Sequence, residues 1–140
     1  MSDFDKKIVL FIDDDEDDFL LMRDLMKECR PEIDLQWARD GEEGLARLNE
    51  NGPNRMPLLI FLDLNMPKLN GREVLKQIRA NDGLKHIPVV VLTNSMNKKE
   101  ALEAYRLGVN SFIRKPSGYK ELRDFVTLFG KYWFDYSTLQ

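Results

Sequence analysis

The chain has one cysteine and one histidine in 140 residues. Cys29 on its own excludes an internal disulfide and a multi-thiolate metal site, and fits a reducing compartment. His86, before an apolar run, has no second histidine or cysteine to complete a zinc site or a nucleophile–histidine triad, and is assigned no role. No sign of charge dominates: 21 Lys and Arg against 24 Asp and Glu give a net charge of −3. That balance excludes a general attraction to nucleic acid or to an anionic membrane. No apolar window approaches the roughly 18 residues of a membrane span, and Met1 to Asp5 lacks a signal-peptide core. A cytoplasmic protein without membrane or nucleic-acid partners is expected. Low-complexity linkers and sequence repeats are also missing. A length of 140 residues with 43% hydrophobic content fits one domain of the usual size, roughly 100–150 residues. The reading is a single domain over 1–140 with an aromatic extension from about 131.

What the sequence does contain is an alternation. Short β-type apolar runs occur at Ile8 to Ile12, Leu35 to Ala38, Leu58 to Leu62, Pro88 to Leu92 and Ser111 to Ile113. Longer helix-type stretches separate them, as in βα units on a parallel sheet. The runs Leu58 to Leu62 and Val89 to Leu92 are apolar without a break, which suits strands covered by helices on both faces. Leu21, Met22, Leu25, Met26 and Cys29 form one apolar helix face after an acidic first turn that complements the helix dipole. Further helices are predicted over Gly41 to Leu48, Arg72 to Ile78, Lys98 to Leu107 and Tyr119 to Phe134. The fold class is therefore α/β, a doubly wound parallel sheet.

In such a sheet, ligands bind beyond the carboxyl ends of the strands, where loop amides and helix N-termini converge. Those ends carry Asp13-Asp14-Asp15, Asp63, Thr93-Asn94-Ser95 and Arg114-Lys115-Pro116. Carboxylates brought together from two strands either hold a proton or recruit a hard cation such as Mg²⁺. A lysine and a hydroxyl beside that cation would complete a cradle for a transferring phosphoryl group. Asp63 closes five apolar residues, so a merely structural role would leave a charge near the core unexplained. The acidic run Asp13 to Asp18 is a poor calcium loop, because Asp18 stands where the glycine belongs and Asp24 where the glutamate belongs. A rival reading takes Asp13-x-Asp15 as the start of a haloacid-dehalogenase-like phosphohydrolase with Asp13 as nucleophile. Asp17 breaks that motif, and Asp63 is left without a task.

Ile12-Asp13-Asp14, Leu62-Asp63-Leu64-Asn65-Met66-Pro67, Asn70-Gly71, Leu92-Thr93 and Lys115-Pro116 together resemble the response-regulator receiver family. The resemblance implies a flavodoxin-like (βα)5 domain with a five-stranded sheet of order 2-1-3-4-5. It further implies Asp63 as phosphoacceptor, fed by a sensor histidine kinase, and Mg²⁺ held by Asp13, Asp14, Asp63 and the Asn65 backbone carbonyl. By the same likeness Thr93 is the switch hydroxyl, Phe112 the switch aromatic and Lys115 the phosphoryl-oxygen ligand. Lys115-Pro116 is implied to be a cis bond. The expected chemistry is self-phosphorylation and self-dephosphorylation, with no other enzymatic activity.

A narrower likeness lies in Asp63 to Leu75, Ile87 to Thr93, Leu107-Gly108-Val109-Asn110 and the aromatic Tyr132-Trp133-Phe134. These segments are similar to the stand-alone regulators that partner phytochrome-type kinases. The chain departs from that subgroup in its Asp13 to Asp18 run and at Phe112, where tyrosine is frequent. Leu122, Phe125, Val126, Phe129, Tyr132 and Trp133 continue at helical spacing past the length a small sheet needs covered. The surplus aromatics are read as a homodimer surface beside Lys98 to Ile113, with folding back onto the same chain as the alternative.

Overall fold

Side chains that alternate between the two faces of a single parallel sheet build two apolar layers, one on each side. The structure, a computed structural model, describes residues 7–50, 55–95 and 97–138; Met1 to Asp5 lie outside them. In chain order the elements are β1 (Lys7–Ile12), α1 (Glu16–Cys29), β2 (Ile33–Ala38), α2 (Gly41–Glu50), β3 (Leu59–Leu62), α3 (Gly71–Ala80), β4 (Val89–Thr93), α4 (Lys98–Arg106), β5 (Ser111–Arg114) and α5 (Tyr119–Gly130). A π-helical segment, Lys131–Tyr136, follows directly. The strands are parallel in the order β2-β1-β3-β4-β5, as the family likeness implied.

Successive side chains of a strand point to opposite faces. Leu10, Ile12, Ile60, Leu62, Val89 and Val91 therefore meet Leu45, Leu48, Val74, Leu75, Ile78 and Ala104 of α2, α3 and α4. Val9, Phe11, Leu59, Phe61, Val90 and Leu92 meet α1 and α5 through Phe19, Met22, Leu25, Leu122, Val126 and Phe129. The inner strands are thus buried on both sides, which is why they read as unbroken apolar runs. On α1 the buried face starts at Phe19, and Leu21 lies at the rim, 37% exposed. Phe19 precedes Met22 by three residues, whereas Leu21 is its immediate neighbour and so turns about 100° away.

Three features depart from expectation. The C-terminal helix does not run unbroken to Phe134: α geometry ends at Gly130 and a π turn continues to Tyr136. Gly130 admits the Arg30 guanidinium against its backbone, where a Cβ would lie 2.8 Å from Arg30 Nε. Arg30 then grips Asp135 through two bonds of 2.5 and 2.7 Å. This places Trp133 and Phe134 on the α1–α5 layer, beside Lys7 and Leu58 at the amino ends of the strands. The aromatic tail therefore lies at the amino ends of β1 and β3, on the face of the sheet opposite α4, and not beside Lys98 to Ile113 where the sequence reading set it. No described peptide bond is cis, so Lys115–Pro116 is trans, the isomer an X–Pro bond favours on its own.

Candidate functional site: an aspartate cluster with a shared lysine

The first strand delivers Asp13 and Asp14, and the sheet's middle strand delivers Asp63. Main-chain bonds set their heights: Asp63 N–H donates to Ile12 O at 3.0 Å and Asp13 N–H to Ala38 O at 3.1 Å. This is the crevice between β1 and β3, where the winding of the sheet reverses. One carboxylate oxygen from each of Asp13, Asp14 and Asp63 lies within 4.8 Å of the others. Asp13 and Asp63 are buried, at 2% and 7% exposure, while Asp14 faces solvent.

Short side-chain reaches need close backbone, and the loop after β3 supplies it. A Cβ on Gly71 would lie 2.6 Å from Leu64 Cα, so only glycine lets α3 begin against the Asp63 loop. Asn70 caps that helix, its side chain accepting from Glu73 N–H at 3.1 Å. Lys68 takes a left-handed φ of 63° within the loop.

Lys115, at the end of β5, enters from the other side. Its Nζ lies 2.8 Å from Asp13 Oδ2, 2.9 Å from Asp18 Oδ2 and 3.7 Å from Asp63 Oδ2. Burial pushes the Asp13 carboxyl from its ordinary 3.8 up to about 6, against the lowering pull of Lys115 and of the Asp15 N–H. Burial also raises Asp63, opposed by the Lys115 charge and by the Asn65 N–H bonded to its Oδ1 at 3.1 Å. Against its own desolvation, Lys115 is held above the ordinary lysine range by its pairing with Asp13 and Asp18. Asp13 Oδ2 has that ion pair but no aligned hydrogen bond. An all-oxygen donor set with surplus negative charge and a buried, under-donated carboxylate oxygen fits a hard divalent cation.

Thr93 is fully buried at the end of β4, and its Oγ1 accepts from Asn65 Nδ2 at 3.3 Å and from Ser95 N–H at 3.2 Å. Its hydroxyl is thus turned to the Asn65 side chain. Phe112 is half-buried and packs against the layer of α2 to α4, with its N–H bonded to Tyr105 Oη at 3.1 Å. All the sequence-predicted site residues except Phe112 gather at this edge; Phe112 lies along β5. Two contributors escape a linear reading. Asp18 reaches Lys115 from the first turn of α1, and in the sequence it is only the last of the acidic run Asp13 to Asp18. Trp37 donates from Nε1 to Asp13 O at 2.8 Å while stacked on Phe19, and its sole signal is an aromatic at the end of β2.

The sequence model of the response regulator receiver domain matches residues 9–127. The chain belongs to that family. Response regulator Rcp1 of Synechocystis sp. is 38% identical over 136 residues, covering 95% of this chain and 92% of Rcp1. The structure of the phosphorylated cyanobacterial phytochrome response regulator RcpA superposes with a TM-score of 0.87 at 34% identity, covering 96% of this chain and 98% of RcpA. The Mn²⁺-bound form of Rcp1 superposes at 0.82 with 37% identity, covering 96% and 99% of the two chains. The protein is thus a receiver-domain response regulator of the two-component type, with relatives in phytochrome systems, and a histidine kinase is the kind of partner such a regulator has. The haloacid-dehalogenase alternative finds no support in these likenesses. Among the described residues no helix is long and apolar enough to cross a membrane.

Proposed function

We propose that Asp63 accepts a phosphoryl group from a phosphohistidine of a sensor kinase, phytochrome-type by its likeness to Rcp1 and RcpA, and that the modified carboxylate switches partner binding. The observation that carries this is Lys115 Nζ poised 2.8 Å from Asp13 and 3.7 Å from Asp63 at the end of the middle strand. Asn65 N–H fixes Asp63 Oδ1, leaving Oδ2, on the Lys115 side, to attack phosphorus in line as the bond to the donor nitrogen breaks. Lys115 then follows the phosphoryl oxygens. Thr93 exchanges its bond from Asn65 for one to the phosphoryl group, and Phe112 turns inward with it, altering the surface of α4 and β5. Mg²⁺, held by Asp13, Asp14, Asp63 and the Asn65 carbonyl, supplies charge neutralisation at phosphorus when bound.

The cell compartment is the cytoplasm, the chain works as one receiver domain with an aromatic extension from about 131, and it catalyses nothing beyond its own phosphorylation and dephosphorylation. The extension divides its labour: Trp133 and Phe134 pack on the chain's own core, while Tyr132 and Tyr136, 61% and 82% exposed, are free to meet a second copy. Tyr132→Ala with Tyr136→Ala should lower the sedimentation coefficient of a dimer to that of a monomer. Incubation with a small phosphodonor and Mg²⁺, followed by intact mass, tests the central claim. One phosphoryl group on the wild type and none on Asp63→Asn is expected; persistent labelling of the variant at Asp13 would overturn it.

A further inference from the structure

The ammonium of Lys115 is shared between two sets of anions on different elements. Asp13 and Asp63 line the cavity at the strand ends. Asp18, on α1, accepts from Lys115 Nζ across 97 positions of sequence, so this bond exists only because α1 docks beside the connection from β5 to α5. Around it, Phe11, Leu21, Leu92 and Pro116 form an apolar wall that offers the amine no alternative acceptor from their side chains. An ammonium between anions sits where their attractions balance, and each charge removed on one side moves it toward the other. Were the Asp18 charge lost, the nearest remaining anions would be Asp13 and Asp63. Lys115 would then settle between them, on the carboxylate oxygens that an incoming divalent cation needs.

We propose that Asp18 is a positioning residue: its carboxylate parks the Lys115 ammonium at the rim of the three-aspartate cavity, so that lysine and a divalent cation occupy the site together. The inference rests on reading Asp13, Asp14 and Asp63 as the cation site. It explains why an acid in the first turn of α1, where its dipole contribution is duplicated by Glu16 and Asp17, is turned inward to a half-buried lysine.

The test is calorimetric titration of Mg²⁺ into the full chain without phosphodonor, for wild type, Asp17→Asn and Asp18→Asn, each with and without Lys115→Ala. Asp17 is exposed on the same helical turn, so Asp17→Asn removes the same formal charge from the same helix N-terminus. Asp18→Asn should weaken Mg²⁺ binding about ten-fold, as expected for loss of a charge-assisted bond, and Asp17→Asn only about two-fold through screened attraction. In the Lys115→Ala background the two should become equal, because no ammonium remains to be parked. Equal effects with Lys115 present would overturn the proposal and leave Asp18 as one more remote charge; a gap that survives removal of Lys115 would overturn it too, because Asp18 would then act on the cation without the lysine. A wild-type chain that takes up no Mg²⁺ would overturn the cation-site reading itself, and it would do so before any substitution is made.

Discussion

The two ends of the sheet handle charge in opposite ways. At the amino ends of the strands, Arg79 donates to Gly108 O at 2.9 Å, to Lys85 O and Ile87 O at 3.0 and 2.9 Å, and to Asn110 Oδ1 at 3.1 Å. Asn110 Oδ1 also accepts Val89 N–H at 2.9 Å, so one guanidinium joins the end of α3 to the starts of β4 and β5. Arg30 does similar work for the C-terminal segment through Asp135. At the carboxyl ends, Asp13 and Asp63 share a single ammonium that Asp18 also draws on, and Asp14 adds a third carboxylate to the same cluster. Donors matched to acceptors fasten loops. Carboxylates short of donors store an electrostatic deficit that a cation or phosphoryl transfer relieves, and sites with shifted pKa values gather where that deficit lies.

That contrast can be broken at either end, with different readouts. The largest effect is Asp63→Asn, which should abolish phosphoryl uptake by intact mass while leaving the urea midpoint equal or higher, since a buried charge is removed. Arg79→Ala should do the reverse. It strands several carbonyls at once, and a loss of about 2–4 kcal/mol in urea unfolding is expected, with phosphoryl uptake retained in the folded fraction. Asp14→Ala should lower Mg²⁺ affinity by about ten-fold or more in calorimetry, because a hard cation loses one of few charged oxygens; unchanged affinity would remove Asp14 from the ligand set.

A pH series sharpens the comparison. The Asp13 carboxyl is raised in the folded protein from 3.8 to about 6, so the folded state binds the proton more tightly than the unfolded chain does. Its stabilising share is complete below about pH 4 and is lost as pH rises through about 6. Metal-free protein should therefore show a falling urea midpoint over that window, with a flatter profile in Asp13→Asn and a rise above pH 6 on adding Mg²⁺. The smallest effect is Arg30→Ala. It should speed amide hydrogen exchange in Lys131–Tyr136 without altering Mg²⁺ binding, because the tail lies at the end of the strands remote from the aspartates.

Much of this molecule was legible in its sequence because periodicity reports burial directly. The unbroken run Leu58 to Leu62 marked a doubly covered strand, and Asp63 stood out as the charge that ended it. Four strand ends named Asp13, Asp14, Asp63, Thr93 and Lys115, since a parallel sheet brings all its carboxyl ends to one edge whatever their separation in the chain. The strand order came from the family likeness, not from the apolar pattern, which is blind to which strands are neighbours.

What the sequence by itself determined was therefore periodic or terminal: which runs are strands, which helix faces are apolar, and which polar groups sit at the ends. The tertiary structure decided pairings across that frame. Asp18 finds Lys115, Trp37 finds the Asp13 carbonyl, Arg79 gathers three connections, and Arg30 with Gly130 turns the aromatic tail onto the α1–α5 layer. The physical reason is range. Burial periodicity is a property of neighbouring residues on one element, whereas a hydrogen bond or ion pair needs donor and acceptor within about 3 Å, a distance set only when separate elements dock.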